Sequence, residues 1–73
     1  MFHPDEFPIG IIITAIRSDH SYHISVGKCY EVSEVIELSD GDFNITFIND
    51  ICSMSSKSVN SPVYPFSDYF KIL

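Results

Sequence analysis

Residues 29–48 read Cys29-Tyr-Glu-Val-Ser-Glu-Val-Ile-Glu-Leu-Ser-Asp-Gly-Asp-Phe-Asn-Ile-Thr-Phe-Ile48. The stretch decides the fold. Asp40-Gly41 sits between two apolar runs, and Asp-Gly in that setting is the strongest short signal of a β-hairpin, because glycine accepts the positive φ of a tight turn. Ahead of it, Tyr30 and Val32, then Ile36 and Leu38, alternate with polar residues. Behind it, Phe43, Ile45 and Phe47 alternate with Asn44, Thr46 and Ile48. Period two is strand period. Glu31, Glu34 and Glu37 also fall at helical spacing, but Val32, Val35 and Ile36 are β-branched and stiff in a helix. A strand over Cys29–Ser39 is therefore expected, with Glu34 out of phase and marking a bulge.

Working outward, Ile9–Arg17 is rich in β-branched residues and predicts a first strand, apolar on both faces. Such a strand is central or has its second face covered, and Phe2 and Phe7 could supply cover. Ser18–Lys28 predicts a long connection closing on Gly27. Asn49-Asp50 predicts a turn, Ile51–Ser56 a short return strand, and Lys57–Ser61 a surface loop. Pro62 and Pro65 argue against a central strand there. Ser67-Asp68 can open one helical turn, and Tyr69–Leu73 predicts a closing strand. Residues 1–8, with two prolines and two acids, predict an irregular N-terminal segment. The expectation over 1–73 is a single all-β domain, a small SH3-like barrel of about five short antiparallel strands, since a small sheet escapes exposed edges by curling closed.

Composition narrows the function. The chain has 73 residues, 45% of them hydrophobic and 14% aromatic, which excludes a disordered segment. The net charge is −6, and only Arg17, Lys28, Lys57 and Lys71 are cationic. Direct nucleic-acid binding and docking on an anionic membrane both draw on clustered Lys and Arg, so neither is expected. No apolar run approaches the ~20 residues of a membrane helix. The acidic start does not match a secretory signal, so a cytoplasmic setting is expected. There Cys29 and Cys52 are expected to be reduced, small and buried.

Six carboxylates lie between Cys29 and Ser56, with no lysine or arginine among them: Glu31, Glu34, Glu37, Asp40, Asp42 and Asp50. Displayed together on the outer face of strands, they would dock on a basic partner surface, steering association in a salt-dependent way. The same charges would serve a merely solvated face. Tyr64 and Tyr69 beside prolines offer a second candidate contact, an aromatic groove for a peptide, set against a role in closing the barrel. His20 and His23 lack the ligand count of a metal site. Neither a carboxylate pair flanking a cleft nor a cysteine with a marked base is evident, so no enzymatic activity, metal or cofactor is expected.

The pieces Ile24-Ser-Val-Gly-Lys-Cys-Tyr-Glu-Val, Asp40-Gly-Asp-Phe-Asn-Ile, Ile48-Asn-Asp and Tyr64-Pro-Phe-Ser-Asp-Tyr-Phe-Lys-Ile-Leu occur in this order. The pattern resembles a group of small bacteriophage proteins with an SH3-like β-barrel: Val-Gly-Lys-x-Tyr-x-Val, an Asp-Gly hairpin, an Asn-Asp turn and a Tyr-Pro-x-x-x-Phe ending. Cys52 stands where that group usually has glycine, and Ser53–Val63 is longer and richer in serine. The resemblance implies a host-takeover factor in the cytoplasm of an infected bacterium. Such a factor would inhibit a host protein with a basic surface, such as a sliding clamp, polymerase or defence nuclease, by DNA-like charge mimicry. The alternatives are a structural or virion-assembly module, and a peptide-binding adaptor that uses the aromatic end. A small barrel can also pair with itself, and a homodimer would widen the acidic surface.

Overall fold

The computed structural model describes residues 1–73. The hairpin forms around the Asp-Gly pair. Gly41 takes φ 88°, a left-handed conformation that side chains resist. Asp40 Oδ1 accepts the Asp42 N–H at 3.0 Å, and the Leu38 N–H donates to the Asp42 carbonyl at 2.9 Å. The turn joins strand β2 (Cys29–Glu37) to β3 (Phe43–Ile48), which run antiparallel.

The bulge lies at Ser33. Val32 stands opposite Phe47 and Glu34 opposite Thr46, leaving Ser33 as the extra residue. One extra residue reverses the inward phase of the rest of the strand. Tyr30, Val32, Phe43, Ile45 and Phe47 are buried as expected. Beyond the bulge it is Val35, opposite Ile45, that packs on the core. Ile36, expected inside, faces outward opposite Asn44 and is 46% exposed; Leu38 lies beyond the strand and is only half-buried.

The first strand is shorter than Ile9–Arg17. β1 spans Ile12–Ala15, because Gly10 turns the chain at φ 95° and Ile9 stays in water. β1 is central, paired with β2 on one side and β5 (Phe70–Ile72) on the other. The return strand begins later than Ile51. β4 spans Met54–Ser58, because Asn49–Ser53 is consumed by a loop closed from Asn49 N–H to the Ser53 carbonyl at 2.8 Å. Lys57, expected in a surface loop, is thus a strand residue opposite Ile45, on the core side. The helical turn before the last strand is a 3-10 turn over Phe66–Asp68.

The strand order is β4-β3-β2-β1-β5 in one five-stranded antiparallel sheet, an all-β, barrel-like fold without an α-helix. Its core is largely aromatic. Phe47, Phe70, Phe66 and Phe7 form a chain of rings with successive centroids 5.0–5.4 Å apart, and Phe2, Phe43 and Tyr30 extend it. Phe2 and Phe7 join this cluster. The N-terminal segment is tied down further by a 3-10 turn over Pro4–Glu6 and by two hydrogen bonds of 2.9 Å between the Phe2 backbone and the Asn60 side chain. The seam between β4 and β5 is bridged by the Phe66 N–H donating to the Val59 carbonyl at 3.0 Å. No helix is long and apolar enough to cross a membrane.

Candidate functional site

The six carboxylates fall in three places. Glu31 and Glu34 project from the outer face of β2, Glu31 opposite Ile12 and Glu34 opposite Thr46, with exposed Ile36 next on the same face. Glu37, Asp40 and Asp42 gather at the closed end of the hairpin. The bulge puts Glu37 opposite buried Phe43, on the inner side of the sheet, where the strand end leaves it exposed. Asp50 lies past the other end of β3, roughly 20 Å away at strand rise. The residues therefore do not form one wall.

Two of the carboxylates are committed to the fold. Asp42 Oδ1 accepts the N–H of Phe43 at 2.7 Å and of Asn60 at 2.9 Å, tying the hairpin to the loop after β4. Asp50 accepts from the Ser25 hydroxyl at 2.7 Å and the Tyr30 hydroxyl at 2.8 Å, with Lys28 Nζ 3.7 Å away. These two hydroxyls, and then Lys28, hold the Asp50 carboxyl below the usual carboxylate range. Burial pushes the Tyr30 phenol up, and Asp50 adds to it. An acid whose pKa is lowered by folding stabilises the protein above its ordinary pKa, and that contribution is lost as pH falls through the lowered value. Comparing the wild type with Asp50→Asn by urea unfolding across pH should show an advantage above about pH 4 that disappears in stronger acid. A difference independent of pH would exclude this role.

Glu31, Glu34 and Glu37 remain free in water, and Asp40 is exposed with only its turn bond from the Asp42 N–H. The Lys28–Asp50 pair is the single ion pair of the molecule, so no cation neutralises them. At the closed end of the hairpin the Phe7 ring centre lies 5.6 Å from that of Phe43. A cleft of about 430 Å³ opens here between Asp40, Gly41, Asp42, Asn60, Pro62 and Met1.

The tyrosines mark a second surface. Tyr64 is 58% exposed, whereas Tyr69 is buried to 5% and packs edge-on against Tyr22 at 5.4 Å. With Arg17, Asp19 and Ser21 they line a groove of about 420 Å³. The Arg17 guanidinium lies 4.7 Å from the Tyr69 ring centre. Sequence reasoning missed Arg17, Tyr22 and Lys57. The first two belong to the Ser18–Lys28 connection or its edge, whose path no local pattern reveals. Lys57 sits in a serine run without strand alternation.

Both cysteines are free and exposed, which corrects the expectation of burial. Cys29 faces outward opposite Thr14, its Sγ 3.5 Å from Thr14 Oγ1. Cys52 sits in the Asn49–Ser53 loop at φ 58°, a conformation glycine accepts more easily. His20 and His23 line a cleft of about 360 Å³ with Asp19, Ser25 and Asp50. No group of three or more His, Cys, Asp or Glu side chains is placed to hold a metal ion. No protein-family model, curated protein or solved structure matches the chain.

Proposed function

We propose that the chain is an acidic binding protein that docks its β2–β3 hairpin on a basic surface of a DNA-handling protein and blocks that surface. The observation that carries this is the exposure of Glu31, Glu34, Glu37 and Asp40 without any neutralising cation, with Ile36 exposed on the face of Glu31 and Glu34. Interfaces combine charge that steers encounter with an apolar contact that holds it. The resemblance to small phage barrels supports a role as a host-takeover inhibitor in an infected bacterium, with a clamp, polymerase or defence nuclease as target. Self-association through the barrel would double the charge presented.

The test is capture from bacterial lysate by the immobilised protein, with identification of the partner and a parallel capture by a variant carrying Glu31→Gln, Glu34→Gln, Glu37→Gln and Asp40→Asn. Asp42 and Asp50 are left intact because the fold uses them. A DNA-binding protein should be retained by the wild type, released by duplex DNA or by about 0.3 M salt, and lost with the variant. Undiminished capture by the variant would sink the proposal.

A second reading is favoured by the Arg17–Tyr22–Tyr64 groove, which suits an extended peptide. In the same experiment it predicts loss of capture with Arg17→Ser and Tyr64→Ser, both exposed positions, and none with the acidic changes.

A further inference from the structure

Lys57 is 1% exposed, yet no carboxylate lies within ion-pair distance of it. A buried ammonium without a counter-charge must be solvated by the protein itself. Here Nζ donates to the Ser58 carbonyl at 3.0 Å and to the Tyr64 carbonyl, and it faces the rings of Tyr69 at 5.1 Å and Tyr22 at 5.5 Å. Both rings present electron-rich faces to it, a favourable arrangement for a desolvated cation. Burial pushes its pKa down, while the more distant charges of Asp42, Asp68 and Asp19 oppose that shift.

The segment between β4 and the 3-10 turn has few other ties to the sheet. Val59 and Asn60 are held at its start, the latter by Asp42 and Phe2, and Phe66 at its end. Between them, the N–H groups of Val63 and Tyr64 find only Ser61 Oγ, which belongs to the same loop. The Lys57 bond to the Tyr64 carbonyl is the hydrogen bond that connects the middle of this loop to a strand.

We infer that Lys57 is a positioning residue: its ammonium gathers the Tyr64 carbonyl and the inner faces of Tyr22 and Tyr69 around one point, and so fixes the wall and floor of the tyrosine groove. The groove's use in peptide binding rests on the second reading above; its construction around Lys57 does not. Methionine at 57 would fill nearly the same space but could neither donate to Tyr64 nor attract the rings. Exchanging this unpaired buried ammonium for an apolar side chain of similar volume removes its desolvation cost but leaves two carbonyls without their donor, and the two effects largely offset. The effect should therefore be local.

The experiment compares wild type and Lys57→Met by backbone ¹⁵N relaxation and urea unfolding, with no ligand present. Order parameters for Val63 and Tyr64 should fall from about 0.85 to below about 0.6, and the Tyr22 and Tyr69 ring resonances should shift. Strand residues such as Ile13 and Ile45 should stay unchanged, and the urea midpoint should shift little. Unchanged order at 63–64 in a folded variant overturns the inference. If the variant does not fold, the wild-type ammonium decides: a slowly exchanging Lys57 ¹⁵N–H signal with Overhauser contacts to both rings supports it, and absence of those contacts overturns it. Peptide capture that fails while the order change is seen would count against the groove's function alone.

Discussion

Replacing Phe66 with alanine is expected to remove a large part of the stability of the protein. The ring stacks on Phe70 at 5.4 Å and meets Phe7 at 5.0 Å and Phe2 at 5.4 Å, both edge-on. It is 1% exposed and is the buried residue of the 3-10 turn that leads into β5. Truncating a buried phenylalanine costs about 3–5 kcal/mol, because the cavity it leaves closes only in part. A chain of this size commands only about 4–11 kcal/mol in total. The loss should also free the N-terminal segment, whose Phe2 and Phe7 rest on the same ring. Urea unfolding followed by far-UV circular dichroism measures it. Phe66→Leu, which keeps part of the contact, should fall between wild type and alanine. A midpoint shift equivalent to less than about 1 kcal/mol for Phe66→Ala would mean that the aromatic chain is not what holds the last strand.

Asn49→Ala should be the most damaging change outside the aromatic core. Asn49 is buried, and its Oδ1 accepts the N–H groups of Ile51 at 3.1 Å and Ser53 at 3.0 Å while Nδ2 donates to Ser55 Oγ at 2.7 Å. Ser55 Oγ in turn donates to the Tyr22 carbonyl at 3.0 Å. One side chain thus shapes the β3–β4 loop and links it to the β1–β2 connection. Alanine leaves two backbone donors without their partner, for an expected cost of about 2–4 kcal/mol. Asn49→Asp keeps the acceptor and loses the donor, so it should cost less. Equal losses for the two variants in urea unfolding would show that the acceptor is not the important half.

The parts of the fold legible in the sequence were those with local causes. The Asp-Gly turn, the alternating Phe43, Ile45 and Phe47, and the helical turn near Ser67-Asp68 each follow from chemistry within a few residues. Glu34 signals a bulge but not which residue is extra, and strand period alone puts Ile36 inside. Met54–Ser58 has no strand pattern of its own; pairing with β3 imposes its conformation. The apolar run at Ile9–Ile11 hid the positive φ of Gly10. For the candidate site, each carboxylate could be named from the sequence, but their division among the sheet face, the hairpin end and the Tyr30 network is tertiary. So is the buried ammonium of Lys57, whose neighbours Tyr22, Tyr64 and Tyr69 come from separate segments.

The extra residue at Ser33 divides one strand into two lengths of opposite inward phase. Residues 29–31 pair with β1 and residues 34–37 with β3, while Val32, just ahead of the irregularity, already stands opposite Phe47 of β3. The outward side chains of the far length, Glu34 and Ile36, can be exchanged without touching the inward contacts of Val35. The outward side of the hairpin is in that sense an exchangeable face on a constant base: changes at 34 and 36 alter what the surface displays, while Val35, Phe43 and Asp42 keep the fold.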